Sequence, residues 1–176
     1  MIKNVILGML AIAAVSCKSN AQDKPAEETA MASNEQQDYK VSKTEAQWEA
    51  ILTPEEFEVL RKAGTERPFT SPLNDETSPG TLICAACYAP LYDNAHKFKS
   101  GTGWPSYDRA IDGAIVLDSD MKIGYKRDEA KCATCGSHLG HIFNDGPQET
   151  TGKRHCINGV ALDFVPEGQP LPELRK

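Results

Sequence analysis

Apolar positions divide the chain into three parts. A continuous apolar run extends from Val5 to Val15, and residues Lys18 to Val41 then contain no Leu, Ile, Phe or Trp. A membrane-spanning helix needs about 20 apolar residues, so the first run is too short to cross a bilayer as a stable helix. The polar stretch that follows cannot bury enough apolar surface to fold. Only the part from Ser42 onward has the patterning of a folded domain.

Two short helices are predicted at the start of this domain. Ser42 and Glu45 have the spacing of a capping box. One apolar helical face follows, made of Trp48, Ile51 and Leu52. We expect Trp48 to be a core residue.

The second helix is predicted to begin directly after the first. Thr53 and Glu56 repeat the capping box, and Pro54 occupies the first helical position, where its missing N–H is no loss. Gly64 is expected to end the helix. The apolar face of this helix consists of Phe57 and Leu60.

Beyond Gly64 the pattern changes to short β-rich runs separated by Gly, Pro, Asn and Asp. The last run alternates in the way expected of a strand with one buried face. Residues Glu167 to Lys176 contain two prolines and are predicted to form a surface tail. The fold is therefore predicted to be mainly β, with helices in front. The predicted strands are Thr81 to Cys84, Ala114 to Leu117, Lys122 to Lys126, Leu139 to Phe143 and Val160 to Val165.

Composition narrows the class of protein. A chain of 176 residues with 40% hydrophobic residues fits one ordinary domain with a sizeable core. It carries 19 Lys+Arg against 25 Asp+Glu, a net charge of -6 and a pI near 5.2. Binding to phosphate backbones requires a basic surface, so we expect no nucleic-acid partner.

Residues Met1 to Ser16 have the features of a secretory signal peptide, with Lys3 ahead of the apolar run. The sequence Ala14-Val15-Ser16-Cys17 resembles the bacterial lipobox, although Ala14 stands where Leu is usual. By this resemblance Cys17 is the lipidated first residue of an exported lipoprotein. Its linker, residues 17–41, would tether the domain to the membrane of the cell envelope on the periplasmic side. The alternative is an ordinary cleaved signal that contains a cysteine.

Four of the six cysteines form two CxxC pairs separated by 44 residues. Two thiolates from each pair can converge into the tetrahedral shell that structural zinc prefers, with one ion per chain. Because an exported protein lies in an oxidising compartment, disulfides are an alternative. A thioredoxin-type redox motif is disfavoured, since no long helix follows either pair. The cysteines are Cys84, Cys87, Cys132 and Cys135.

Cys156 is the thiol left over if zinc takes four cysteines and lipid takes Cys17. On a strand, Arg154 and Asn158 would lie on the same face as Cys156. A nearby guanidinium lowers the pKa of a free cysteine from about 8.5 toward neutrality, which makes it a nucleophile. The alternative is a buried, unreactive cysteine.

Two further segments carry chemistry that a thiolate could use. His138 and His141, with Asp145 to orient one of them, form the usual arrangement for a proton donor. A turn or bulge near Gly140 is needed for both histidines to reach one site; alternatively, they are structural residues or metal ligands. Trp104 follows Thr102 and the two glycines that flank it; its indole could wall an apolar pocket, or it is a core residue beside a tight turn.

Taken together, these motifs resemble those of B-type methionine sulfoxide reductases. The resemblance extends from about Ser42 to Val165. It rests on the two CxxC pairs and on Leu-Thr-Pro-Glu-Glu (52–56), Gly-Thr-Glu-Arg-Pro-Phe (64–69), Gly-Trp-Pro-Ser (103–106), His-Leu-Gly-His-Ile-Phe-Asn-Asp-Gly-Pro (138–147) and Arg-His-Cys-Ile-Asn (154–158).

The resemblance implies reduction of the R epimer of methionine sulfoxide in proteins. It also implies a domain at residues 42–166 with two antiparallel sheets and a structural zinc ion. A sulfenic acid would form on the nucleophilic cysteine, and thiols can reduce it. The implied roles are Cys156 as nucleophile; His141, His138 and Asp145 for binding and protonating the sulfoxide oxygen; Trp104 and Phe143 for holding the substrate methyl group; and Arg154 and Asn158 around the thiol.

This chain departs from a common family pattern at Thr102, where many members carry a recycling cysteine. We therefore expect the Cys156 sulfenic acid to be reduced by an external, thioredoxin-like thiol. We also expect the protein to be a monomer. A different class of function would be a zinc-stabilised module that binds oxidised proteins without turnover. Turnover that is lost in Cys156→Ser separates these two hypotheses.

Overall fold

The computed structural model describes residues 38–121, 124 and 126–176. The predicted signal peptide, the lipidated Cys17 and most of the linker lie outside these residues and stay predictions. No helix among the described residues is both long and apolar enough to cross a membrane.

The folded part begins before Ser42, which corrects the predicted end of the linker. Val41 is only 2% exposed, and its backbone N–H donates to the carbonyl of Thr134 at 3.0 Å. The ring of Tyr39 fills the space beside Gly136, where an added Cβ would lie 2.4 Å from it. The polar linker thus ends in two apolar residues that pack onto the domain.

Helix α1 spans Glu45–Ile51, and its N-cap is Thr44 instead of Ser42. The Thr44 hydroxyl accepts from the backbone N–H of Gln47, whose side chain accepts from the Thr44 N–H at 2.8 Å. The capping box is therefore two residues later than predicted, with Gln in place of Glu. Trp48, 1% exposed, is a core residue as expected.

Helix α2 spans Pro54–Lys62 with the predicted Thr53 and Glu56 capping box. It ends one residue earlier than predicted, because Ala63 and not Gly64 adopts the left-handed conformation, at φ 52°. Lys and Arg in its last turn lie where they stabilise the negative end of the helix dipole. Helices precede the sheets, as the pattern predicted.

Among the described residues, eight strands form two antiparallel sheets, which confirms the predicted fold class. The strands are β1 (Gly80–Cys84), β2 (Pro90–Asp93), β3 (Ser106–Tyr107), β4 (Ile115–Asp120), β5 (Arg127–Cys132), β6 (His138–Phe143), β7 (Arg154–Ile157) and β8 (Leu162–Pro166). The smaller sheet has the order β2-β1-β8 and the larger one β3-β7-β6-β5-β4.

Of the predicted strand Lys122 to Lys126, only Gly124 and Lys126 are among the described residues, and neither lies in a strand. Its described residues lie between β4 and β5, and Gly124 donates its N–H to the Met121 carbonyl in a turn with φ 85°. The next strand along the chain is β5, whose charged residues Arg127, Asp128, Glu129 and Lys131 give no β-strand pattern in the sequence. Ala130 and Cys132, both fully buried, are the only apolar residues of β5, so the sequence there lacks a simple apolar run.

The C-terminal segment, predicted as a surface tail, is exposed over residues 167–173 and returns to the domain at its end. The backbone N–H of Arg175 donates to the Cys87 carbonyl at 3.0 Å. The Arg175 guanidinium lies 4.1 Å from the ring centre of Tyr88. The tail end therefore contacts the loop of the first CxxC pair.

Candidate active site

Strand pairing places Cys156 in the larger sheet with a neighbouring strand on each side. Cys156 in β7 lies directly opposite His141 in β6 on one side and Ser106 in β3 on the other. The close approach of β6 to β7 requires Gly140, since an added Cβ there would lie 2.1 Å from the Cys156 carbonyl oxygen. The sheet thus brings together residues from three separate motifs.

A bulge in β6 turns both histidines toward one site, as predicted. The register between β5 and β6 pairs Gly140 and His138 with consecutive residues of β5 and skips Leu139. The extra residue cancels the alternation that would send the two imidazoles to opposite faces. The ring centres of His138 and His141 are 5.3 Å apart.

The carboxylates that bind these histidines are Asp120 and Glu129, which the sequence did not single out. Asp120 Oδ2 is hydrogen-bonded to His141 Nε2, and Glu129 Oε1 lies 2.7 Å from His138 Nδ1. Arg127 Nη2 donates to both carboxylate oxygens of Asp120, each at 3.0 Å. No motif signalled them, because they lie on β4 and β5 and reach the histidines only through strand pairing.

His141 is a poor cation in this environment. Burial lowers its pKa, and the carboxylate of Asp120 opposes the shift only in part. Because ionised Asp120 is only an acceptor, it fixes the proton of the neutral imidazole on Nε2 and leaves Nδ1 with a lone pair. His141 can therefore accept a proton at Nδ1 and pass it on.

Asp145 binds Arg154 instead of a histidine, which corrects the expected pairing. The two side chains form a bidentate pair with both N···O distances at 2.9 Å. The Arg154 guanidinium also lies 4.4 Å from the ring centre of Phe143. Asp145 and Phe143 thus hold the guanidinium two residues from Cys156, on the same face of β7.

The Cys156 thiol is half-buried and does not have the lowered pKa that the sequence suggested. Burial raises its pKa above the ordinary value, and the Arg154 guanidinium opposes this shift without cancelling it. The expected direction was wrong because the sequence shows the neighbouring cation but not the depth of the sulfur. This shift favours the thiol over the thiolate in the free protein.

A cavity of about 110 Å³ opens beside Cys156. Trp104 forms one wall, and its indole N–H donates to the Glu66 carbonyl at 3.2 Å. The buried carboxylate of Glu66 in turn accepts the backbone N–H groups of Gly159 and Val160 at 2.6 and 2.9 Å. The cavity is lined by Thr65, Trp104, Arg127, Gly140, His141, Phe143, Cys156 and Asn158.

Asn158 lines the cavity, but backbone groups use its amide. Its nitrogen donates to the Leu139 carbonyl at 2.9 Å, and its oxygen accepts the Glu66 N–H at 3.1 Å. The side chain is 3% exposed. Asn158 thus joins the bulged strand β6 to the loop that anchors Trp104, and it positions the cavity wall.

The four CxxC cysteines form a buried cluster whose sulfur atoms all lie within 4.8 Å of one another. Two of the sulfur pairs are 3.9 and 3.7 Å apart, too far for a disulfide bond. Sulfurs bound tetrahedrally at about 2.3 Å from zinc are about 3.8 Å apart, so the cluster fits this ion. Hydrogen bonds from the other three thiols lower the pKa of Cys135, which favours the thiolate that zinc binds. The cluster comprises Cys84, Cys87, Cys132 and Cys135.

Comparison with known proteins agrees with this geometry. The SelR domain model matches residues 52–166. The chain belongs to the SelR family. Proteins named peptide methionine sulfoxide reductase MsrB are similar to it: the one from Chromohalobacter salexigens is 51% identical over 128 residues, or 72% of this chain and 96% of the relative. The one from Leifsonia xyli is 47% identical over 75% of this chain and 96% of the relative.

A solved structure, the Mis18 'Yippee-like' domain, aligns with 52% of this chain and 100% of its own at a TM-score of 0.42 and 14% identity. This likeness is too weak to bear on function. The family match, by contrast, covers every residue that surrounds the Cys156 cavity and the cysteine cluster.

Proposed function

We propose that the protein reduces methionine R-sulfoxide in oxidised proteins, with Cys156 as the nucleophile. One observation carries this proposal: Cys156 lies opposite His141 in a cavity walled by Trp104, in a chain of the SelR family. The relatives are named as peptide methionine sulfoxide reductases, so the activity and the site agree.

The reaction balances without a further cofactor in the cavity. The Cys156 sulfur attacks the sulfoxide sulfur, the S=O bond breaks, and oxygen ends on Cys156 as a sulfenic acid while methionine leaves. The thiol proton ends on the sulfenic oxygen. We assign the transfer of this proton to His141. Asp120 binds its Nε2–H, so Nδ1 is the ring nitrogen that can accept the proton from the thiol.

The other cavity residues bind the substrate or hold the thiol. The indole face of Trp104 and the ring of Phe143 form the apolar wall for the substrate methyl group. Arg154, held by Asp145, stabilises negative charge that develops on the Cys156 sulfur. His138, fixed by Glu129, packs against His141 and orients it.

We infer that an external thiol completes the cycle, because Thr102 occupies the place of a recycling cysteine. One thiol attacks the sulfenic sulfur and releases water, and a second resolves the mixed disulfide, which regenerates the Cys156 thiol. A thioredoxin-like dithiol supplies both. The half-buried Cys156 at the cavity is open to such a partner.

The remaining proposals concern the setting of the domain. We propose one structural zinc ion in the cysteine cluster, where it stabilises the fold and takes no part in the reaction. We also propose that the protein is a monomer. The polar linker and the lipobox-like sequence at Cys17 support its export to the cell envelope and its anchoring to the membrane on the periplasmic side.

The test uses the full chain, a peptide carrying each epimer of methionine sulfoxide, and dithiothreitol. We expect turnover of the R epimer alone, and its loss in Cys156→Ser with an unchanged circular dichroism spectrum. Binding of the oxidised peptide without turnover by the wild-type protein would instead support the zinc-stabilised binding module.

A further inference from the structure

The loop before β3 places a chain of hydroxyl groups against the Cys156 sulfur. Thr102 Oγ1 lies 4.0 Å from Cys156 Sγ and 2.9 Å from Ser100 Oγ. Ser100 Oγ lies 2.8 Å from Ser106 Oγ, which donates to the Trp104 carbonyl at 3.1 Å. The contacts therefore run from the reactive sulfur through three hydroxyls to one backbone carbonyl.

Each hydroxyl has one hydrogen, so the end of the chain fixes the direction of every bond. Ser106 gives its hydrogen to the Trp104 carbonyl, and Ser100 must then donate to Ser106. Because the Ser100 hydrogen is used in this way, the Thr102 hydroxyl must donate to Ser100 Oγ, which also accepts the Thr102 backbone N–H at 3.4 Å. In this order Thr102 is only an acceptor toward Cys156, and it receives the S–H of the thiol.

Ionisation of Cys156 calls for the opposite order. A hydroxyl lowers the pKa of a thiol only when it donates to the thiolate. For Thr102 to do so, Ser100 must donate to Thr102 and Ser106 to Ser100, which removes the hydrogen bond of the Trp104 carbonyl. The thiol order has four bonds and the thiolate order has three.

We propose that Ser100, Thr102 and Ser106 form a reversible hydroxyl chain that holds Cys156 as a thiol at rest and reverses when the sulfur ionises. The three are positioning residues that act on the nucleophile through their hydrogen order. The resting sulfur is thereby kept in its less easily oxidised form, since the thiolate is the species that oxidants attack.

The charged and titratable groups around Cys156 are not part of this chain. They are Arg154 on its own strand with its partner Asp145, His141 on β6, and Arg127 on β5. Residues 100–106 contribute no charged side chain. Substitutions within the hydroxyl chain therefore leave every nearby charge in place.

The test measures the pKa of Cys156 from the pH dependence of its alkylation by iodoacetamide, followed on the Cys156 peptide by mass spectrometry in the full chain. Ser106 Oγ is hydrogen-bonded to Ser100 and to the Trp104 carbonyl, not to the sulfur, so Ser106→Ala leaves the Thr102 contact with Cys156 in place. It removes the acceptor of the Ser100 hydrogen, so that Ser100 can donate to Thr102 and Thr102 to the thiolate. We expect its Cys156 pKa to fall by about half a unit to one unit, the worth of one neutral hydrogen bond. Ser100→Ala, on the more exposed loop, should act in the same direction and covers the case in which Ser106→Ala does not fold.

Thr102→Val removes the donor itself, so its Cys156 pKa should rise by about one unit or more. Thr102→Ser keeps the hydroxyl, and the remote Ser42→Ala removes an exposed one; both should match the wild type. A pKa that is unchanged or raised in Ser106→Ala, or unchanged or lowered in Thr102→Val, overturns the proposal. The inference rests on Cys156 as the nucleophile proposed above, but alkylation needs no turnover, so the two can fail separately.

Discussion

His141 is hydrogen-bonded through Nε2 to Asp120, a residue two strands away in the sheet. Asp120 ends β4, and its partner across the hairpin, Arg127, holds the carboxylate in place through a bidentate bond. The orientation of the proposed proton carrier thus depends on the β4–β5 hairpin. It does not depend on Asp145, which lies four residues further along the chain from His141.

Asp120→Asn should shift the pH dependence of kcat. The Asp120 carboxylate raises the pKa of His141 against the larger effect of burial, so its loss lowers that pKa further. His141 accepts the thiol proton as a neutral imidazole, so the rate rises as pH rises through this pKa, and the rise should move to lower pH in the variant. Above this pKa we expect kcat to fall by up to about tenfold for each unit by which the pKa falls, because a weaker base accepts the thiol proton less readily.

The matched control is Asp145→Asn, which removes a carboxylate from Arg154 and leaves His141 untouched. The part of its kcat–pH profile that reports the pKa of His141 (the His141 limb) should stay at the same pH as in the wild type. Equal shifts of this limb in both variants would show that Asp120 has no special relation to His141.

Arg154→Gln should slow the reaction most at low pH. The guanidinium is the largest cause that lowers the pKa of Cys156, so its removal raises that pKa and reduces the thiolate fraction at neutral pH. We expect a loss of about tenfold or more in kcat/KM at pH 7. The deficit should narrow as pH rises, and Arg154→Lys should recover part of it; a deficit independent of pH would indicate a role in packing alone.

Loss of the cysteine cluster should unfold the domain. The protein as purified should contain about one equivalent of zinc, and Cys132→Ser should lose it together with a large part of its thermal stability, because structural zinc contributes on the order of 10 kcal/mol to folding. Cys156→Ser, the same substitution outside the cluster, should keep both the zinc and the melting temperature. A metal-free protein with an unchanged melting temperature would contradict the zinc proposal.

Thr102→Cys should form an intramolecular disulfide with Cys156 after one turnover without reductant. The Thr102 hydroxyl lies 4.0 Å from the Cys156 sulfur, and glycines at 101 and 103, with φ 75° and 93°, flank it in the loop. A shift of about 2 Å closes this distance to a bonded S–S pair. Peptide mapping by mass spectrometry should find the linked peptides in this variant and not in Thr102→Ser.

The corrected cap of α1 gives a direct test of stability. Thr44→Ala removes the hydroxyl that accepts the Gln47 N–H, and we expect the free energy of unfolding to fall by about 1 kcal/mol in a urea titration. Ser42→Ala, at the position that the sequence favoured, should change it little. Equal losses in the two variants would argue against the cap at Thr44.

The sequence alone determined the classes of residue and their motifs. Residue type and spacing alone indicate the paired cysteines, the thiol with a cation two residues before it, Trp104 after the Gly-Thr-Gly segment, and the need for a turn or bulge near Gly140. They could be found because each is local: the residues of a motif lie within a few positions of one another, and strand alternation relates them directly.

Only the tertiary structure decided which groups meet. Asp120 and Glu129 reach the histidines through the pairing of β4, β5 and β6, which no local pattern encodes. The raised pKa of Cys156 follows from its burial among three strands, whereas the sequence showed only the cation beside it. Contacts across strands and the loss of water depend on the whole fold, and a linear pattern carries neither.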